Sequence, residues 1–139
     1  MRFTFPKPER LYLQNEIEDL FSAGSLSLSA YPIRATFRRM SYKGHGPQVK
    51  VLMSVAKRRL RHAVDRNRSK RQLREAYRLQ KEILLRQISS DTAVHIAFIW
   101  LSDHPVRTEK VSRSIASLLT RIADKLAEYG SYTAEDSAQ

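Results

Sequence analysis

The chain has no cysteine, which excludes disulfides and thiolate-bound metal and leaves its redox compartment open. It has no long apolar run either. The longest, residues 93–101, is interrupted by His95 and falls far below the ~20 apolar residues that a transmembrane helix needs. The opening Met1-Arg2-Phe3-Thr4-Phe5-Pro6-Lys7 lacks the apolar core of a signal peptide, so a cytoplasmic location is expected. Glycine is scarce, at four residues, and neither a Walker-type phosphate loop nor a nucleophile elbow occurs. His45, His62, His95 and His104 are scattered, without the close spacing of a zinc site, and no metal site of the protein's own is expected. Carboxylates cluster only at Glu16, Glu18 and Asp19, which reads as the solvated side of a helix rather than a hydrolytic centre.

Acidic residues are outnumbered. Against 14 Asp and Glu stand 25 Lys and Arg, a net charge of +11. Such an excess gathers polyanions, and the preponderance of arginine over lysine favours phosphate forks and base stacking. The 139 residues and 42% hydrophobic content suit one domain with a real core. That domain is expected over residues 1–129, with residues 130–139 as a disordered tail.

Hydrophobic periodicity supplies the elements. Residues 9–23 read as a short helix with Leu13, Ile17, Leu20 and Phe21 on one face and Gly24 as its stop. Residues 25–30 form a connector, partly extended. Residues 33–38 alternate as a half-buried strand. Residues 43–47, with two glycines and a proline, form a turn that leads into a second strand over 49–55, paired with the first as a hairpin. A helix is expected over about 66–87, with Leu73, Ala76, Tyr77, Ile83 and Leu84 as its apolar stripe. Residues 93–101 read as a central strand buried on both faces. A last helix over 108–129 presents Val111, Ile115, Leu118, Leu119, Ile122 and Leu126. The order is α-β-β(-β)-α-β-α, an α+β chain folded as an α/β sandwich with a small mixed sheet.

The charge concentrates in residues 57–78. Lys57, Arg58, Arg59, Arg61, Arg66, Arg68, Lys70, Arg71, Arg74 and Arg78 face only Asp65 and Glu75 there. Two carboxylates cannot neutralise ten cations, so a merely solvated, ion-paired helix does not account for the segment. At about 100° per residue, Asn67, Lys70, Arg71 and Arg74 share one side, and Leu73, Ala76 and Tyr77 share the other. The crowded first turn also carries free N–H groups and the positive dipole end. Several guanidiniums on a rigid helix end, with the Asn67 amide among them, suit a folded RNA better than the regular groove of DNA. Six or so phosphate contacts would give log affinity a slope of about −4 to −5 against log salt. Leu73, Ala76 and Tyr77 make too small an apolar stripe for lipid, so no membrane partner is expected.

The string Ser54-Val55-Ala56-Lys57-Arg58, followed by Ala63-Val64-Asp65-Arg66-Asn67-Arg68-Ser69-Lys70-Arg71-Gln72-Leu73-Arg74-Glu75, resembles the signature of the bacterial ribonuclease P protein subunit. Arg10-Leu11, Ile17, Leu20-Phe21 and Gly24 resemble that family's opening helix. The resemblance implies a left-handed strand–helix–strand crossover, against the usual handedness. It implies a subunit without catalytic residues, one per catalytic RNA, while that RNA and its magnesium release the 5′ leader of precursor transfer RNA. Carried over by position, Lys57, Arg58, Arg66, Asn67, Arg68, Lys70, Arg71 and Arg74 would touch the catalytic RNA. Ile17, Phe21, Arg34, Phe37, Lys50 and Met53 would line a cleft for the leader, between the first helix and the sheet. Ile17 stands where phenylalanine is common and Ala35 where tyrosine is common, so leader stacking is expected to be built differently. Arg59-Leu60-Arg61-His62 replaces a shorter, glycine-containing turn. A ribosomal or general structured-RNA-binding protein would share the basic helix. A self-sufficient nuclease would need several carboxylates converging on a metal.

Overall fold

The computed structural model describes residues 5–22 and 25–129. The expected stop at Gly24 and the 130–139 tail lie outside them. The elements are α1 (Gln14–Leu20), β1 (Leu26–Ala30), β2 (Ile33–Ser41), β3 (Val49–Ser54), α2 (Ala63–Gln80), α3 (Glu82–Leu85), β4 (Thr92–Trp100) and α4 (Thr108–Tyr129), with a 3-10 turn at Lys7–Glu9. The four strands form one mixed sheet in the order β1-β2-β4-β3. The first two pairings are antiparallel, and β3 runs parallel to β4.

The expected hairpin between the second and third strands does not form. β4 separates them, pairing with β2 from Ile33↔Trp100 to Ser41↔Thr92 and with β3 from Val49↔Val94 to Ser54↔Ile99. The physical reason lies in β4, which is buried along nearly its whole length and apolar but for Thr92 and His95, and therefore takes the centre of the sheet, with both backbone edges paired. The connection from Ser41 to Val49 is long enough to pass over it, and Gly44 and Gly46 adopt φ of 89° and 78° there, values that side chains disfavour. Gln48 locks the landing, its amide donating to the carbonyls of Ser89 and Thr92. The 25–30 connector is a full edge strand, β1.

The first helix is shorter than its periodicity suggests. Residues 10–13 are extended instead, because the Leu11 N–H donates to the Val51 carbonyl at 2.9 Å and Arg10 bridges to Val51. This segment covers the free edge of β3, where unpaired donors and acceptors would otherwise face solvent. Leu20 is fully buried and Ile17 half-buried, whereas Leu13 and Phe21 are exposed. The second helix breaks at Lys81, with no proline or glycine to mark it, and α3 turns Leu84 into the core.

Alternation divides the sheet into two faces. Ile33, Ala35 and Phe37 of β2, Val49 and Val51 of β3, and Val94, Ile96, Phe98 and Trp100 of β4 pack under α2 and α4. Tyr77 of α2 stacks edge-on with Phe5 at 5.4 Å and tilts over Phe98 at 6.1 Å. The six expected apolar residues of α4 are all buried. On the opposite face, α1 covers only part of the sheet through a small cluster of Leu11, Leu20 and Ala97.

Candidate nucleic-acid interface

The basic segment begins where β3 ends. Lys57 and Arg58 are exposed in a turn, and buried Leu60 anchors it to the core. Arg66 then staples the turn to α2, its Nη1 donating to the carbonyls of Leu60 at 2.9 Å and Arg61 at 2.8 Å. Arg59 pairs with Asp103 at 3.2 Å. Arg78 pairs with Glu75 at 2.7 Å, and that hydrogen bond holds the Glu75 carboxyl below its ordinary range. Three of the ten cations are thus engaged within the protein. The other seven, Lys57, Arg58, Arg61, Arg68, Lys70, Arg71 and Arg74, have no hydrogen-bond or ion-pair partner among the described residues.

These seven project from a rigid support. Ser69, Gln72, Leu73, Ala76 and Tyr77 bury the inner side of α2, while Asn67, Arg68 and Arg71 are exposed and Lys70 and Arg74 half-exposed. The helical phase read from the sequence is the observed one. Arg66 differs from the rest, because part of its hydrogen-bonding capacity is spent on ordering the turn before the helix.

The second set of expected residues does not come together. Ile17, Phe21, Arg34 and Lys50 belong to α1 and the partly covered sheet face, but Phe37 and Met53 lie on the other face. Phe37 is 1% exposed, inside the core, and Met53 packs against that core. Ala35 is also buried there, so the open-face neighbours on β2 are Arg34, Thr36 and Arg38. Phe21 is 50% exposed at the end of α1, an aromatic left free to stack.

Beside Lys50, further residues that the sequence did not mark for this site complete the open face. A groove of about 700 Å³ is lined by Lys7, Tyr12, Lys43, His45, Lys50 and His95, among others. The Lys7 ammonium sits 5.7 Å from the Tyr12 ring centroid. Glu16 crosses the groove wall, 3.4 Å from Lys50 Nζ and 3.8 Å from His95 Nε2. Burial pushes the His95 imidazole below its ordinary value, Glu16 opposing and Lys50 and Arg38 reinforcing. Strand parity could have placed His95 here. Tyr12 carried no such signal, since its segment read as helix.

Among the described residues, no three His, Asp or Glu side chains come together in a way that could hold a metal ion. No described helix is long and apolar enough to cross a membrane. The arrangement offers cations and aromatic surface on two sides of one sheet, fit to bind a polyanion and unpaired bases.

Comparison with known proteins bears on this geometry. Residues 5–123 match the family model described as Ribonuclease P. The chain is 40% identical over 123 residues to a "Ribonuclease P protein component" of Porphyromonas gingivalis, covering 87% of this chain and 88% of the relative. A relative of the same name in Chlorobaculum tepidum is 47% identical over 57 residues, 37% of each chain. In fold, the chain is similar to the ribonuclease P protein of Thermotoga maritima, at TM-score 0.62 and 23% identity over 81% of this chain and 96% of that one. It is likewise similar to that of Staphylococcus aureus, at TM-score 0.60 and 19% identity over 83% and 94%. The chain belongs to the ribonuclease P protein family, whose role lies in processing transfer RNA at its 5′ end.

Proposed function

We propose that the protein grips the catalytic RNA of ribonuclease P through α2 and the strand-end pair Lys57 and Arg58, and holds the single-stranded 5′ leader of precursor transfer RNA on the open sheet face. The RNA, with magnesium it binds itself, performs the hydrolysis, and the protein contributes no reacting group. One protein serves one RNA, in the cytoplasm, and neither DNA nor membrane is involved. The observation that carries this reading is the set of seven cations, without a partner among the described residues, on and before a helix whose other side is locked in the core. Such cations lower phosphate–phosphate repulsion and so let RNA fold and substrate dock at modest magnesium.

The leader half of the reading is supported by exposed Phe21 and Tyr12, and by Ile17, Arg34 and Lys50 on α1 and the partly covered sheet face. Stacking tolerates any base, which suits leaders of varied sequence. Holding the leader favours precursor over product, a difference in affinity between two ligands. The test is cleavage of precursor transfer RNA by the cognate RNA at low magnesium, with and without this protein. Stimulation is expected. Its absence would reject the reading, and cleavage by the protein alone would make it a nuclease.

A further inference from the structure

The RNA-binding signature ends within α2, but the unpartnered positive charge does not. Arg68 shares an open cleft of about 450 Å³ with Arg107, Thr108, Glu109, Lys110 and Arg113, from the start of α4. Its four cations face a single carboxylate, Glu109. None of the four has a hydrogen-bond or ion-pair partner among the described residues. Arg107, Lys110 and Arg113 recur at three-residue spacing, which makes them neighbours on one flank of the helix, opposed by mutual repulsion. A solvated helix flank would intersperse acids with such a row.

The two walls of the cleft are fixed relative to each other. Gln72, one helical turn beyond Arg68, is buried. Its amide donates to the Val106 carbonyl at 2.9 Å and to Thr108 Oγ1 at 3.1 Å. Eight residues further on, Gln80 donates to the Ser112 carbonyl at 3.0 Å. These bonds tie the start of α4 to the same side of α2 that carries Arg68, so the cations converge without a ligand to gather them. Preorganised convergence of guanidiniums matches the tetrahedral, multiply charged oxygens of a phosphate group.

We infer that this cleft is a second phosphate site, which continues the RNA contact from α2 onto the first two turns of α4 and seats a backbone phosphate of the catalytic RNA. The inference rests on the reading of α2 given above. It enlarges the RNA footprint beyond the Arg-Asn-Arg signature to residues that the signature does not contain.

The test compares the full-length protein with Arg107→Ala/Arg113→Ala and with Arg71→Ala/Arg74→Ala, measuring affinity for the cognate catalytic RNA across monovalent salt at fixed low magnesium. Arg107 and Arg113 are exposed, so unchanged circular dichroism and melting are expected. The α4 variant should bind at least tenfold more weakly at 0.1 M salt. Its log–log salt slope should be shallower by about 0.8, the loss of the one phosphate contact that the cleft holds, at roughly 0.7 to 0.9 per contact. An α4 variant within twofold of the parent, with the parent slope, overturns the inference. If the α2 variant alone is then impaired, the α2 reading survives; if neither is impaired, both fall. A third arm titrates inorganic phosphate, without RNA, onto each protein and follows amide shifts of Thr108 and Glu109. Loss of phosphate binding in the α4 variant with RNA affinity intact would make the cleft a free-anion site and overturn the assignment to RNA.

Discussion

The salt dependence of RNA binding separates cations that meet phosphate from those already engaged within the protein. Each phosphate contact releases condensed counterions, so its removal shows as a slope change rather than only as weaker binding. Seven cations of the basic segment have no partner among the described residues, whereas Arg59, Arg66 and Arg78 are occupied by Asp103, by two carbonyls and by Glu75. If all seven meet phosphate, the segment contributes a slope of about −5 to −6, steeper than six contacts would give, at roughly 0.7 to 0.9 each. Between 50 and 200 mM salt that amounts to roughly a 10³-fold loss of affinity for the catalytic RNA.

The informative experiment is the alanine series, followed by fluorescence anisotropy with labelled catalytic RNA. Alanine at Arg58, Arg68, Arg71 or Arg74 should each flatten the slope by nearly one unit. Alanine at Arg59 or Arg78 should leave it near the parent value, because those guanidiniums are spent on Asp103 and Glu75. Arg66→Ala should weaken binding with a smaller slope change, since Arg66 orders the turn from Leu60 to Arg61. Slopes that fall equally in the paired and unpaired sets would refute the reasoning, and so would a parent slope near zero.

Four other outcomes follow from burial and exposure. Leu73→Ala, at a site with no solvent exposure, should cost ~3 kcal/mol and lower the melting temperature by roughly 10 °C; a loss under ~1 kcal/mol would mean that α2 is not pinned as described. Phe21→Ala should leave stability within ~0.5 kcal/mol while weakening a single-stranded leader oligonucleotide by ~1–3 kcal/mol. Phe37→Ala should instead cost ~3–5 kcal/mol of stability in denaturant melts, and the opposite pattern would exchange the roles of the two rings. His95 is depressed below 6.5 by burial, so the unfolded chain takes up its proton first as pH falls. The contribution of His95 is therefore complete above about pH 6.5 and lost as pH drops through the folded value. His95→Gln should flatten the fall in stability as pH drops below about 6.5, and an unaltered profile would show that His95 does not set it.

What the sequence made legible depended on whether one element settles its own answer. α4 runs from Thr108 to Tyr129, as its apolar spacing predicts, and α2 presents the expected sides, because a helix carries its period within itself. β4 was recognisable as central from its apolar run, interrupted only by His95. The partners of β2 and β3 were not, since alternation reports a buried face and says nothing of which strand lies alongside. The extended stretch before α1 was hidden for a related reason: its backbone bond to Val51 leaves no mark on the side-chain pattern. Arg34 and Phe37 differ by three, as do Lys50 and Met53, so strand parity alone forbids one face from holding either pair.

Burying one side of α2 also determines how this basic chain stays folded. Like charges along one helix repel, and in the free protein only Glu75 and Asp103 make ion pairs with the segment among the described residues. The repulsion is borne by the inner side, where Leu73, Ala76 and Tyr77 hold the helix against β4 and α4. The cations therefore stand in place before any RNA arrives, and association need not supply the work of gathering them. An RNA that binds only the folded form then adds to stability, by ~2.7 kcal/mol at a hundredfold excess over its dissociation constant. The same charges that oppose folding in isolation thus make folding and RNA binding mutually reinforcing, and the strength of that coupling falls as salt rises.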